Sequence, residues 1–267
     1  MGVIPVASIV AVGSAVLDRI YTVTNLPEPD GGAFVTDRAR RGGGVAANVA
    51  CACATLNHDA AVVSRVGDDD AAETIVDSIR AWGVDADAVR RGDGASSYTL
   101  ILRGPGGSRM IVAGGDSVPR LHLRDADRDR LAGADVAFTS AYAPDRVVRD
   151  LVELRRTGAI DRLAFDLSGP LSELEGRGTT PETIDALAAG ADLFITNEVA
   201  ARSYLDEDRA AAVRALRSAG AERVAVTAGA AGAYLSDGAA EPVHVPAREC
   251  DPVDTTGAGD QFTAALI

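Results

Sequence analysis

Short runs of small and β-branched apolar residues recur along this chain, each followed by a stretch with helical spacing. That alternation limits the fold more than any other feature. Residues 6–13 (VASIVAVG) read as a buried strand, 45–57 (VAANVACACATLN) as a helix opened by a glycine run, and 60–66 (AAVVSRV) as the next strand. Residues 70–82 (DAAETIVDSIRAW) predict an amphipathic helix with Ile75, Ile79 and Trp82 on one face and Gly83 at its end. From about Asp135, strands at 135–139, 163–167, 192–196, 223–228 and 233–235 alternate with helices such as 144–157, 181–190 and 207–219. The segments 33–40 (AFVTDRAR), 96–103 (SSYTLILR) and 108–113 (SRMIVA) differ. They read as antiparallel strands, the last two joined through a Gly-Pro-Gly-Gly turn. The expectation is an α/β fold: a doubly wound, mostly parallel sheet flanked by helices, with a small β-rich lid at about 33–41 and 95–113. Residues 1–267 fit one such domain. Aromatics are only 4% of a chain that is 47% hydrophobic, so Ala, Val, Leu and Ile must fill its core.

The chain contains no lysine, and all 26 of its basic residues are arginine. A Walker A phosphate loop, Schiff-base or pyridoxal chemistry and a protein-kinase site each need a lysine and are excluded. The net charge of −13 argues against non-specific binding to nucleic acid or to an anionic membrane. Cys51, Cys53 and Cys250 form no C-x-x-C pair, and His58, His122 and His244 form no metal-binding spacing, so a structural zinc is not expected. Sparse, odd-numbered cysteines suit a reducing cytoplasm. The apolar N-terminus lacks a positive leader and is broken by Gly13-Ser14, so it reads as a buried strand rather than a signal peptide. No stretch reads as a membrane span.

Chemistry concentrates in the run Asp254-Thr255-Thr256-Gly257-Ala258-Gly259-Asp260 before an apolar helical stretch. Glycines at a helix start leave backbone N–H groups bare, and these with the helix dipole favour an anion such as a phosphate. A carboxylate in that turn repels a phosphate, so it is out of place there unless it removes the proton from a hydroxyl attacking the phosphoryl group. The alternative is that Asp260 only caps the helix. Four further segments are ambiguous singly. Gly42-Gly43-Gly44-Val45-Ala46-Ala47-Asn48 opens a helix with an amide suited to hydroxyls. Asp18 follows the first strand, where open α/β sheets bind ligands, and a carboxylate can accept from two hydroxyls of a polyol; a solvated loop Asp is the plain alternative. Thr196-Asn197-Glu198 and Val226-Thr227-Ala228-Gly229-Ala230-Ala231-Gly232 close two other strands.

In this order the segments resemble the ribokinase-like (PfkB) carbohydrate kinases along essentially the whole chain. The resemblance implies an ATP-dependent phosphotransferase moving the γ-phosphoryl group to a sugar hydroxyl, in the manner of ribokinase, fructokinase or ketodeoxygluconate kinase. It implies Asp260 as base and the N–H groups of Gly257, Ala258, Gly259 and Asp260 as anion hole. Asp18, Gly43, Gly44 and Asn48 would hold the sugar. Asn197 would lie near the ATP phosphates and magnesium, with Thr227, Gly229 and Gly232 lining the nucleotide site. Asp254 and Thr256 match positions that bind a monovalent cation, potassium, in some members. The lid would also supply a homodimer interface.

Two departures accompany the resemblance. The family often carries N-x-x-E after the strand at 192–196, with the Glu organising magnesium; here that position is Ala200, and Glu198 is the candidate substitute. Family members also continue past the last helix, so the C-terminal helices that complete the adenine pocket are expected to be missing from 1–267. A nucleoside kinase of the same family and a catalytically impaired, sugar-binding or regulatory homologue are the competing readings. A Rossmann dehydrogenase is disfavoured because the first strand leads into Gly13-Ser14-Ala15 rather than G-x-G-x-x-G.

Overall fold

The computed structural model describes residues 6–238, 241–250 and 255–267. Strand β1 (Ser8–Val12) shows why the main sheet is buried on both faces. Ile9 and Ala11 point into one hydrophobic cluster and Val10 and Val12 into another. The remaining strands in chain order are β2 (Val16–Val23), β3 (Val35–Gly43), β4 (Asp59–Val66), β5 (Val89–Arg91), β6 (Tyr98–Arg103), β7 (Arg109–Gly114), β8 (Val136–Ser140), β9 (Leu163–Asp166), β10 (Leu193–Asn197), β11 (Arg223–Thr227), β12 (Ala233–Ser236) and β13 (Val243–Val245). Among the described residues, nine of them form one sheet in the order β13-β12-β11-β10-β9-β8-β1-β4-β5. It is parallel except at the β11–β12 and β12–β13 pairs.

The helices are α1 (Val45–Thr55), α2 (Asp70–Ala81), α3 (Asp125–Ala132), α4 (Asp145–Arg156), α5 (Leu171–Leu174), α6 (Pro181–Gly190), α7 (Glu198–Leu205), α8 (Arg209–Ala219) and α9 (Ala258–Leu266). Residues of α1, α2 and α9 pack into the cluster on one face of the sheet; α3, α4, α6, α7 and α8 pack into the other. The chain runs from β1 outward to β4 and β5, then returns to β8 on the other side of β1. That reversal opens a crevice at the carboxyl ends of the strands, where open α/β sheets take their ligands. Among the described residues no helix is long and apolar enough to cross a membrane.

The second sheet is the lid, in the order β3-β2-β6-β7. It differs from the expectation in two respects. Strand β2 is part of it, so Asp18 sits within a strand rather than on a loop. The β2–β6 pair is parallel, while β2–β3 and β6–β7 are antiparallel. A second correction concerns Trp82, which is 59% exposed. Helix α2 ends at Ala81 and Trp82 is its C-cap at φ −92°, ψ 6°, so the helical spacing no longer aims its side chain at the face of Ile75 and Ile79. Strands β2, β5 and β13 and helices α3, α5 and α7 have no counterpart in the sequence pattern. The three cysteines are free; burial pushes the Cys51 and Cys53 thiols up to about 11, and Cys250 is exposed.

Candidate active site

Helix α9 begins at Gly257, its N-cap, at φ 77°. That left-handed conformation favours glycine and turns the chain from Thr255-Thr256 straight into the helix. The amide of Ala258 donates to the Thr255 carbonyl at 3.2 Å, whereas those of Gly259 and Asp260 have no partner among the described residues. A Cβ built on Gly259 would meet nothing within 4 Å. Of the four amides expected to form an anion hole, that of Ala258 is thus engaged by the turn itself.

Helix α9 lies against α1, whose small residues Ala46, Ala47 and Ala50 let the two pack closely. This brings Asn48 to Asp260: the Asn48 amide donates to Asp260 Oδ2 at 2.7 Å, across 212 residues of sequence. Burial pushes the Asp260 carboxyl up to about 6; the Asn48 hydrogen bond opposes the rise and the nearby Asp18 charge adds to it. Asp260 is thus ionised at neutral pH while its proton affinity stays close to that range, as a general base requires.

Asp18 faces the cleft from β2. Thr99 of β6 donates to its Oδ1 at 2.6 Å. Gly43 passes so close that a Cβ there would lie 2.2 Å from Asp18 Oδ2. Burial raises the Asp18 pKa, while the Thr99 bond and the charges of Arg41 and Arg103 hold it back. The hydroxyl of Ser14, just after β1, is buried on the cleft wall without a hydrogen-bond partner among the described residues. It is ready for a ligand hydroxyl.

Four carboxylates line the cleft: Asp18, Asp260, Glu173 and Asp166, the last at the end of β9. Asp166 accepts from the Ser168 amide at 2.7 Å and from the Thr263 hydroxyl at 3.4 Å. Burial, with the Asp260 charge, pushes it up to about 7. The cleft encloses about 620 Å³ and also reaches Gly44, Asn197, Thr227, Thr256 and Gly257.

Other expected residues are placed differently. Asn197 reaches the cleft, but its side chain is engaged at both ends. Its Oδ1 accepts from the Ala200 amide at 2.9 Å and caps α7; its Nδ2 donates to the Ser168 carbonyl at 2.5 Å. Glu198 does not line the cleft; it pairs with Arg209 at 2.8 Å and with Arg202 at 3.7 Å. Ala200 is fully buried in the sheet–helix core. Gly229 and Gly232 bracket a turn at the edge of β11 and β12 and do not line the cleft. A Cβ on Gly232 would lie 2.1 Å from the Val245 carbonyl, so packing on β13 accounts for that glycine. Thr256 accepts from Arg103 at 3.3 Å. Asp254 lies outside the described residues. Among those described, no cluster of three or more His, Cys, Asp or Glu could hold a metal ion.

Sequence reasoning missed Ser14, Thr99 and Asp166 as site residues. Asp166 carried a usable signal, a carboxylate closing a candidate strand. Thr99 carried none, because its place depends on the β2–β6 register.

A cleft that can hold a hydroxyl beside a buried carboxylate, and receive an anion at a helix start a few residues away, is that of a small-molecule kinase. The chain belongs to the pfkB family of carbohydrate kinases, whose model matches residues 6–267. It is 30% identical over 261 residues to the ATP-dependent ribose-1-phosphate kinase of Halopiger xanaduensis, covering 97% of this chain and 83% of that protein. It is 29% identical over 229 residues to the fructosamine kinase FrlD of Bacillus subtilis, covering 84% and 75%. The ribokinase of Arabidopsis thaliana complexed with ribose and ATP shares the fold, with a TM-score of 0.80 at 22% identity over 98% of this chain and 85% of that one.

Proposed function

We propose that this carbohydrate kinase transfers the γ-phosphoryl group of ATP to a sugar hydroxyl held between Asp18 and Asp260. The observation that carries the reading is the Asn48–Asp260 hydrogen bond at 2.7 Å, which joins the glycine-led helix of the first motif to the base in the last. Asp18, with Ser14 and Gly44 beside it, orients the sugar. Asp260 takes the proton as the hydroxyl oxygen forms its bond to the γ-phosphorus and the bond to the β-phosphate oxygen breaks, releasing ADP. The Gly259 and Asp260 amides receive the charge on the transferring group. Thr227 and Asn197 face the ATP side, with the turn at Gly229 and Gly232 beyond them.

Magnesium bound with ATP would neutralise phosphate charge. It typically keeps several waters and needs only one or two carboxylates, and Asp166 fits that role better than Glu198, which its arginine partners hold away. A potassium ion shared by Asp254 and Thr256 would have to sit beside the Arg103 guanidinium. The outer face of the lid, with exposed Met110 and Val112, is the proposed homodimer contact, and the setting is the cytoplasm. The impaired-homologue reading rests on Ala200, where the family often carries a Glu.

The test is ADP release from ATP and magnesium, with and without KCl, across sugars, sugar phosphates and nucleosides. Asp260→Asn is expected to lower turnover roughly 10²- to 10⁴-fold with the fold retained. In the wild type, kcat/KM is expected to fall as pH drops through about 6, where Asp260 takes up its proton. Undiminished turnover by the Asn variant would remove Asp260 from the base role. Sugar binding without turnover would favour the impaired homologue.

A further inference from the structure

The lid registers set three rows of side chains on the face that looks into the cleft. The first row, across β3, β2, β6 and β7, is Arg41, Asp18, Thr99 and Ala113. The second is Ala39, Ile20, Ile101 and Ile111, of which Ile101 and Ile111 line the cleft. The third is Asp37, Thr22, Arg103 and Arg109. Asp18 and Thr22 are four residues apart on one strand, so the outer rows stand about 13 Å apart along it.

One observation in this array calls for a ligand. Arg103 and Arg109 are direct cross-strand neighbours. Arg109 lines the cleft yet makes no hydrogen bond or ion pair among the described residues. Arg103 reaches the approach to α9 through Thr256, and both Arg41 and Arg103 are close enough to hold down the Asp18 pKa. In a chain of net charge −13, this inward face sets three arginines against the two carboxylates of Asp18 and Asp37. The order along the lid is a carboxylate with a threonine, then an isoleucine floor, then a guanidinium pair. It matches a small molecule with hydroxyls at one end and an anion at the other.

We propose that the acceptor is a sugar carrying an anionic group, a phosphate monoester or a carboxylate, gripped by Arg109 with Arg103 on the inner face of the lid. This rests on the reading of the chain as a sugar kinase. Guanidinium forks suit both anions, since each offers paired oxygens.

The experiment compares kcat/KM for ribose, ribose 1-phosphate and 2-keto-3-deoxygluconate in the wild type, Arg109→Ala and Arg109→Lys, with the KM for ATP measured in each. The expected result is a wild-type preference for one anionic acceptor over ribose, and which one identifies the anion. That preference should collapse on the order of 10- to 100-fold in Arg109→Ala through KM for the acceptor. Arg109→Lys, which keeps charge but not the fork, should fall between. A wild type that prefers ribose, or a preference that survives in Arg109→Ala, overturns the proposal and leaves the sugar-kinase reading standing. A rise in KM for ATP alone also overturns it, by assigning Arg109 to the nucleotide. Silence with every acceptor would instead sink the sugar-kinase reading on which it rests.

Discussion

Asp166 keeps its proton up to about 7 in the folded chain, against an ordinary value of 3.8. Between those limits the folded state binds a proton that the unfolded state has released, so stability falls as pH rises from about 4 to about 7. Above 7 the cost of a buried, ionised carboxylate beside Asp260 is carried in full. Asp166→Asn removes that cost while keeping an acceptor for the Ser168 amide. The variant is expected to melt higher than wild type at pH 8, by roughly 2–8 °C on the usual scaling for a chain of this size, and to match it at pH 4. Equal shifts at both pH values in thermal melts would mean that ionisation is not the cause. The motif residues are legible in the sequence because each belongs to a local pattern: Asp260 and Asn48 both follow glycines at a helix start. Asp166 closes strand β9, a local signal, but its significance depends on Thr263 and Asp260, about a hundred residues away in sequence. Trp82 misleads because periodicity cannot see that the helix stops one residue earlier.

At the scale of elements, the junction of β2 and β3 is the tightest point of the site. Gly43 pairs with Val16 on β2, and its missing Cβ leaves the room that the Asp18 carboxylate occupies. Gly43→Ala must push that carboxylate off Thr99 and out of the position proposed to receive the sugar. Loss of such a charge-assisted contact costs about 1.5–3 kcal/mol, so the acceptor KM should rise roughly 10- to 100-fold. The measurement is acceptor KM against ATP KM; a change confined to ATP would contradict the assignment of Asp18 to the sugar. The main-sheet strands and most of its helices are readable from apolar periodicity, because burial on both faces writes a continuous signal. The lid is less legible. VLDRIYTV in β2 has a charged pair at its centre, and the parallel β2–β6 pairing joins segments about eighty residues apart, which no local pattern encodes.

Over the whole molecule, the lid carries opposite chemistries on its two faces: inward Asp18 and arginines, outward Leu100, Leu102, Met110 and Val112 from the alternate positions of β6 and β7. If the outward face is the homodimer contact, light scattering should give twice the 27.4 kDa chain mass. Val112→Glu should then return it to one, because a charge cannot be desolvated at such a contact. A wild type that scatters as a single chain would remove the dimer. The bond between Asn48 and Asp260 has a temporal side as well. A ribosome delivers Asp18 and Asn48 some two hundred residues before Asp260. Until Asp260 has been made and α9 has packed on α1, the residues proposed to hold the sugar have no group beside them to activate it.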